Sequence, residues 1–404
     1  MTAHAVARPG LSDNGRVWLL AGTCASSFLS LLIGLALGPF LPEIARDLDA
    51  PVALLGQVPA LIAAGAAGLG FVAGPLADHY GLRRALLVGL AAGAALAVGT
   101  SLATTVLVLL VVGVFGAVSR AVVSPVATAL SGAHFEGEWL RRAVGIQLSA
   151  TSGAAILGVP LLTGAAYFVG WRGAFLALAV LVGLVALLVP RVVPADRAAP
   201  AARPRVGAFA AAYRLLLADR ATVLLIGTSL ASSVYTWALT TYFGAFYAER
   251  HGLGTQTIGL LYMSTGPAVF LVSTLVGTPL LRGLPLGPAL VATGPLQALA
   301  LALPEIAPVG LTPALALHVV GYGLIGVRGT ATSTLLLGSS RAGRATTMTI
   351  NNAAFSVGTA VGSSLGGLAL ALGGYGLLGW TLLPFGLAAA ALAALSLRAR
   401  REPS

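Results

Sequence analysis

Apolar residues run along this chain in stretches too long for the core of a soluble domain. They lie near 17–40, 52–76, 85–103, 105–132, 143–168 and 173–190. After a polar interval six more follow, near 221–246, 257–281, 286–304, 308–336, 345–371 and 375–397. A helix that crosses a bilayer needs roughly 20 apolar residues, so the pattern predicts twelve membrane spans, numbered 1 to 12 below. The 404 residues then allow about 34 per span with its loop, which leaves no room for a soluble domain. Span 1 is too long for the apolar part of a signal peptide and is expected to be retained.

Composition agrees with the pattern. Hydrophobic residues make up 57% of the chain and charged ones 9%, against roughly 25% charged in soluble domains. A lone cysteine, Cys24, excludes an intramolecular disulfide framework and a cysteine-based metal cluster. No cofactor or metal ion is expected.

The net charge of +11 raises the question of a nucleic-acid partner, and the positions of the arginines answer it. All 23 basic residues are Arg, an imbalance that suggests a GC-rich coding sequence. With the N-terminus placed in the cytoplasm, eighteen fall in inside segments and three, Arg46, Arg172 and Arg250, in outside loops. Arg120 and Arg328 lie within spans. Basic residues collect on the cytoplasmic side of membrane proteins, so both termini are expected there, in a bacterial cytoplasmic membrane. Nucleic-acid binding is not expected.

The longest polar stretch, 191–220, carries six of the arginines with Pro194, Pro200 and Pro204. It divides the chain into 1–190 and 221–404, with 191–220 as a cytoplasmic loop. The halves echo each other. Arg142-Ala143 opening span 5 is matched by Arg344-Ala345 opening span 11, Gly164 falls on Gly366, and Arg120 in span 4 corresponds to Arg328 in span 10. The expected fold is an all-α membrane protein of twelve transmembrane helices in two pseudo-symmetric six-helix bundles. Parallel repeats of this kind occur in secondary transporters, with the substrate site at the midplane between them.

Between spans 2 and 3 the chain reads Gly74-Pro75-Leu76-Ala77-Asp78-His79-Tyr80-Gly81-Leu82-Arg83-Arg84. Gly81 permits a tight turn, Arg83 and Arg84 mark the cytoplasmic side, and Asp78 can pair with them or with a helix N-terminus. This loop resembles the signature of the major facilitator superfamily. The resemblance implies that Gly74, Asp78, Gly81, Arg83 and Arg84 form a conformational gate, with Asp78 reaching the start of span 11 when the carrier faces outward. His79 and Leu82 stand where the family usually has basic residues, and the matching loop Gly277–Gly283 lacks the acid.

Span 5 carries Gly158, Pro160 and Gly164. It resembles the Gly-x-Pro element of the superfamily's proton-driven exporters, in the drug and small-molecule efflux branch. Small residues allow close helix approach and a proline bends the helix, so these three are candidates for a pivot. Ordinary small-residue packing is the competing reading. Gly358, Gly362 and Gly366 give span 11 a face suited to close contact.

Two arginines remain. A charge near the bilayer centre costs at least ~2.5–3.5 kcal/mol, so Arg120 and Arg328 are expected to face a cavity or a partner. The guanidinium suits planar capture of carboxylate or phosphate, which points to an anionic or acid-bearing substrate. Snorkelling or bonding to backbone carbonyls would satisfy them without one. The exporters' own span-4 arginine would fall near Gly113, so its role does not carry over to Arg120. Tyr235, Trp237 and Tyr322 could stack on a planar solute, and Asn351 and Asn352 add amides.

Glu305 is placed between spans 9 and 10, and the other acids in loops, tails or the end of span 1. No mid-membrane carboxylate is expected, so His318 in span 10 is the candidate proton site.

The reading that follows is a non-enzymatic secondary transporter working by alternating access, expected to be a monomer. It would export a small organic molecule, drug-like or acidic, with a proton or a counter-anion as coupling partner. Uptake or exchange of a small anion through Arg120 and Arg328 is the alternative. A polytopic membrane enzyme is disfavoured, because no metal spacing, phosphate loop or nucleophile set is present.

Overall fold

The computed structural model describes residues 13–135, 137–194, 214–276, 285–339 and 344–400. Among them nine helices are long and apolar enough to cross a membrane. Two of these, Gly145–Val192 and Thr347–Ala399, are 48 and 53 residues long, about twice what a bilayer needs. Each breaks at glycine. Gly170 has φ 69° and ψ 173°, and Gly374 has φ 65° and ψ −162°. A left-handed φ is open to glycine without the penalty a Cβ would bring, so these positions separate span 5 from 6 and span 11 from 12. Helix Thr255–Val276 supplies span 8, which completes the twelve.

The remaining spans are Asp13–Leu35 (1), Gln57–Tyr80 (2), Leu82–Ser101 (3), Val106–His134 (4), Arg220–His251 (7), Leu286–Ile306 (9) and Leu311–Ser339 (10). Span 1 ends earlier than the apolar run suggests. Its tail forms a separate helix, Leu37–Asp47, that contains Pro42. Span 5 begins as Gly137–Gly153 and passes through a π-helical turn, Ala154–Gly158, before Val159 resumes the α-helix.

Span 4 packs on spans 1, 2 and 3 in the first half, and span 9 packs on span 10 and, at Gly294 and Gly386, on span 12 in the second. Span 7 is the most enclosed, with 61% of its apolar window buried against 33–44% for the other candidate spans. The reason is span 11. A Cβ on Gly358, Gly362 or Gly366 would lie 2.4 Å from the Leu230 carbonyl, 2.1 Å from the Val234 carbonyl and 2.9 Å from the Tyr242 ring respectively. Only glycine lets the two backbones come so near.

The end of the molecule away from the termini, here the far end, is where the halves meet most closely. Glu43 accepts a hydrogen bond from Thr255 Oγ1. Tyr242 OH donates to the Ala53 carbonyl at 3.3 Å, and a Cβ on Gly38 would touch Tyr262 OH. Arg172 also ties down far-end loops of its own half, through Asp47 at 2.6 Å and the Ser101 and Ala103 carbonyls. Toward the terminal end, Gly68, Gly70, Gly74, Gly132 and Gly329 have open space where a Cβ would stand.

Candidate functional site

A cavity of about 460 Å³ lies between the halves. Span 1 contributes Leu31 and Leu35 and span 5 Ala155. Most of the polar wall comes from the second half: Ser229, Ser232, Thr236, Trp237 and Thr240 of span 7, Gln297 of span 9, Tyr322 and Arg328 of span 10, Asn351 and Asn352 of span 11. Arg328, Trp237, Tyr322, Asn351 and Asn352 are thus brought together as cavity-lining residues. Tyr235 is not. It is fully buried behind the wall.

Tyr235 nevertheless organises the wall. Arg328 Nη1 donates to its hydroxyl at 2.7 Å, and the hydroxyl donates to Gln297 Oε1 at 2.8 Å. Gln297 Nε2 continues the chain to Thr236 Oγ1 at 3.1 Å. Each group is held by the next, so the Arg328 guanidinium is fixed with 4% of its surface exposed. Its Nη2 has no hydrogen-bond partner among the described residues, and neither do Trp237 Nε1 and Asn351 Oδ1. Tyr322 OH bonds Thr240 Oγ1 at 3.0 Å across spans 10 and 7. Among the described residues, the cavity lining includes no carboxylate.

Arg120 takes a different position. It is half-buried, outside the lining, and its Cζ stands 5.2 Å from the centroid of the Trp237 ring. A cation over an indole face is attracted by the ring quadrupole, so this contact joins span 4 of one half to span 7 of the other.

His318 lies away from the cavity, fully buried, with Nδ1 2.9 Å from Tyr247 OH. Beside it is Glu305, which corrects the placement between spans: the helix runs on to Ile306 and buries the carboxyl completely. The apolar run ended at 304, which left the acid outside the span. Pro304, late in the helix, removes only its own N–H, however, and the turn persists.

In the candidate gate, Gly81 has φ 100° and forms the turn, Arg84 is exposed and Gly74 faces open space. Arg83 is half-buried and engaged by neighbours. The Asp78 side chain and the loop 277–284 lie outside the described residues. In the candidate pivot, Gly158 packs against Phe28 and Leu32 of span 1, Pro160 follows the π-turn, and Gly164 faces open space. Thr163 between them meets Gly259 of span 8.

Sequence reasoning missed Gln297 and, in span 5 of the first half, Gln147, which bonds Ser27 at 2.8 Å and Ser131 at 3.2 Å. A lone amide inside an apolar span was the available signal.

A carrier with a site between two six-helix halves is what this geometry describes, and comparison with known proteins agrees. The family model of the Major Facilitator Superfamily matches residues 23–348, and the chain belongs to that family. A "Chloramphenicol resistance protein" of Streptomyces lividans is 31% identical over 251 residues, which cover 60% of this chain and 61% of that protein. The chain thus spans about three fifths of that relative's length. Among solved structures, an inward-facing, unoccupied bacterial homolog of the human lysosomal transporter Spinster has a TM-score of 0.71 at 17% identity, covering 96% of both chains. The nucleoside transporter NupG has a TM-score of 0.76 at 14% identity, covering 94% of this chain and 99% of that one. These two likenesses bear on the fold.

Proposed function

We propose that this protein exports a small organic molecule across the bacterial cytoplasmic membrane by alternating access. The observation that carries the reading is the cavity with its unpartnered Arg328 Nη2, Trp237 Nε1 and Asn351 Oδ1. A buried polar atom left without a partner costs about 1–3 kcal/mol, and a bound solute removes that cost. Two of the three are donors and no described carboxylate lines the cavity to offset the guanidinium, so the cargo is rich in acceptors or bears an acidic group. The Trp237 and Tyr322 rings suit a planar portion. A cavity of about 460 Å³ falls within the ~300–1,000 Å³ usual for drug-sized ligands.

The two moving bodies are residues 1–190 and 221–404, joined by the cytoplasmic loop 191–220, and the carrier works as a monomer. The arginine distribution supports a cytoplasmic terminal end. With that orientation, the contacts that close the far end support a carrier facing inward. The resistance protein among its relatives supports the outward direction of transport.

Expression in a chloramphenicol-sensitive bacterium tests the proposal. Cells carrying the native chain should accumulate less labelled chloramphenicol than cells carrying an Arg328→Gln variant. Equal accumulation across a panel of neutral and acidic antibiotics would end the export reading. Exchange of a small anion is the second reading, favoured by the unpartnered Nη2. Carboxylate counterflow in proteoliposomes without drug export would select it.

A further inference from the structure

Glu305 stands apart from the other described acids. It lies in the last turn of span 9, fully buried, and no described donor reaches either carboxyl oxygen. His318 Nε2 is 3.8 Å from its Oε1. The imidazole is packed among the rings of Phe243, Phe246 and Tyr247, with centroids 5.6–5.7 Å away. Two titratable groups this close form one unit with respect to protons. With one proton the unit is neutral overall, whether as acid and imidazole or as carboxylate and imidazolium. Without it, a net negative charge would be sealed in an apolar setting, which is strongly unfavourable.

The unit has a definite place in the molecule. Toward the far-end seam, Phe243 packs on Tyr262 at 5.0 Å, and Tyr262 OH lies against Gly38 of the other half. Toward the cavity, Tyr322 is four residues from His318, one helical turn, and lines the cavity wall. Other ionisable groups surround the unit. Span 7 brings Tyr247, the half-buried His251, and Glu249 and Arg250, both exposed. Arg250 donates to the Ala307 carbonyl at 3.3 Å. Spans 8 and 10 bring Tyr262 and Tyr322, and Tyr375 caps the cluster from span 12 against Phe246.

We propose that Glu305 and His318 form a proton-binding site, that the far end closes only over the loaded site, and that the proton is therefore this carrier's coupling ion. When the seam is open, a proton from the outer solution binds the carboxylate or the imidazole, and closure buries a neutral unit. Release toward the cavity past Tyr322 and Thr240 returns the proton to the inner solution and leaves the negative charge that favours reopening. The scheme rests on the carrier reading but not on the cargo. Because the closed state binds more protons, lower pH favours closure.

The test is a distance measurement across the seam. Arg46 and Thr257 are exposed on opposite halves. Spin labels at Arg46→Cys and Thr257→Cys, in the full chain with Cys24→Ser, are read in lipid nanodiscs at about pH 5.5 and about pH 8.5, on either side of the imidazole range. A short distance is expected at the lower pH, with a longer population at the higher. Glu305→Gln keeps the side-chain shape without a proton to lose, and should stay closed at both. His318→Asn should shift the midpoint of the response by about one pH unit or more and serves if Glu305→Gln does not fold. His251→Asn should leave the response in place. A distance indifferent to pH, or a response unchanged in the Glu305 and His318 variants, overturns the proposal. Failure to move chloramphenicol would bear on the cargo alone.

Discussion

Arg120 of span 4 and Arg328 of span 10 both lie within membrane spans, yet the structure treats them differently. Arg328 is secured by its own half, through Tyr235 and then Gln297, so that one nitrogen is committed and the other left without a partner among the described residues. Arg120 is half-buried and faces the Trp237 ring of the opposite half. The first arrangement fixes a charge whatever the halves do. The second depends on how the halves sit, since moving span 7 away from span 4 removes the ring from the cation. The same residue type thus gives a charge fixed within one half in one place and a link between the halves in the other.

Four substitutions sharpen or break this contrast. Arg328→Gln has the largest expected effect, because it removes a charged hydrogen bond and the free donor together. Bonds to charged groups contribute about 1.5–3 kcal/mol, so efflux of the transported solute should fall roughly ten- to a hundredfold. Near-native efflux would show that the buried charge does not meet cargo. Arg120→Gln comes next. A cation–π contact contributes about 0.5–2 kcal/mol, so efflux should fall between about two- and thirtyfold. Arg120→Lys, which keeps a cation for the ring, should recover part of the loss. If Gln and Lys behave alike at this position, the link to Trp237 is not what matters. The smallest change is expected from Trp237→Phe, which keeps a ring for Arg120 and loses only the Nε1 donor. Efflux should drop about two- to tenfold, in keeping with roughly 0.5–1.5 kcal/mol for one neutral hydrogen bond to the cargo. A collapse of efflux there would move the indole N–H to the centre of recognition.

Spans were legible where the rule is one-dimensional. The apolar run near 345–371 and the next near 375–397 were separable in the sequence, and the break does fall at Gly373 and Gly374. The site was legible only in part. Tyr235 and Trp237 are two residues apart on span 7, and at about 100° per residue they face different directions. Nothing in the local sequence says which direction is the cavity. Glu305 read as a loop acid because its burial depends on spans 7, 10 and 12 closing over it. Gln297 was overlooked because a single amide gains meaning only from Tyr235 and Thr236 beside it.

What the sequence determined by itself was the number of spans and where their apolar runs lie. The bilayer enforces these on any chain, through the cost of leaving apolar residues in water or charges in hydrocarbon. What the tertiary structure alone decided was which polar atoms are spent on one another and which remain for a ligand. Arg328 meets Tyr235 across 93 positions of sequence and Tyr247 meets His318 across 71. Partners that distant are chosen by packing, so satisfaction of a buried group is a property of the folded neighbourhood rather than of the residue.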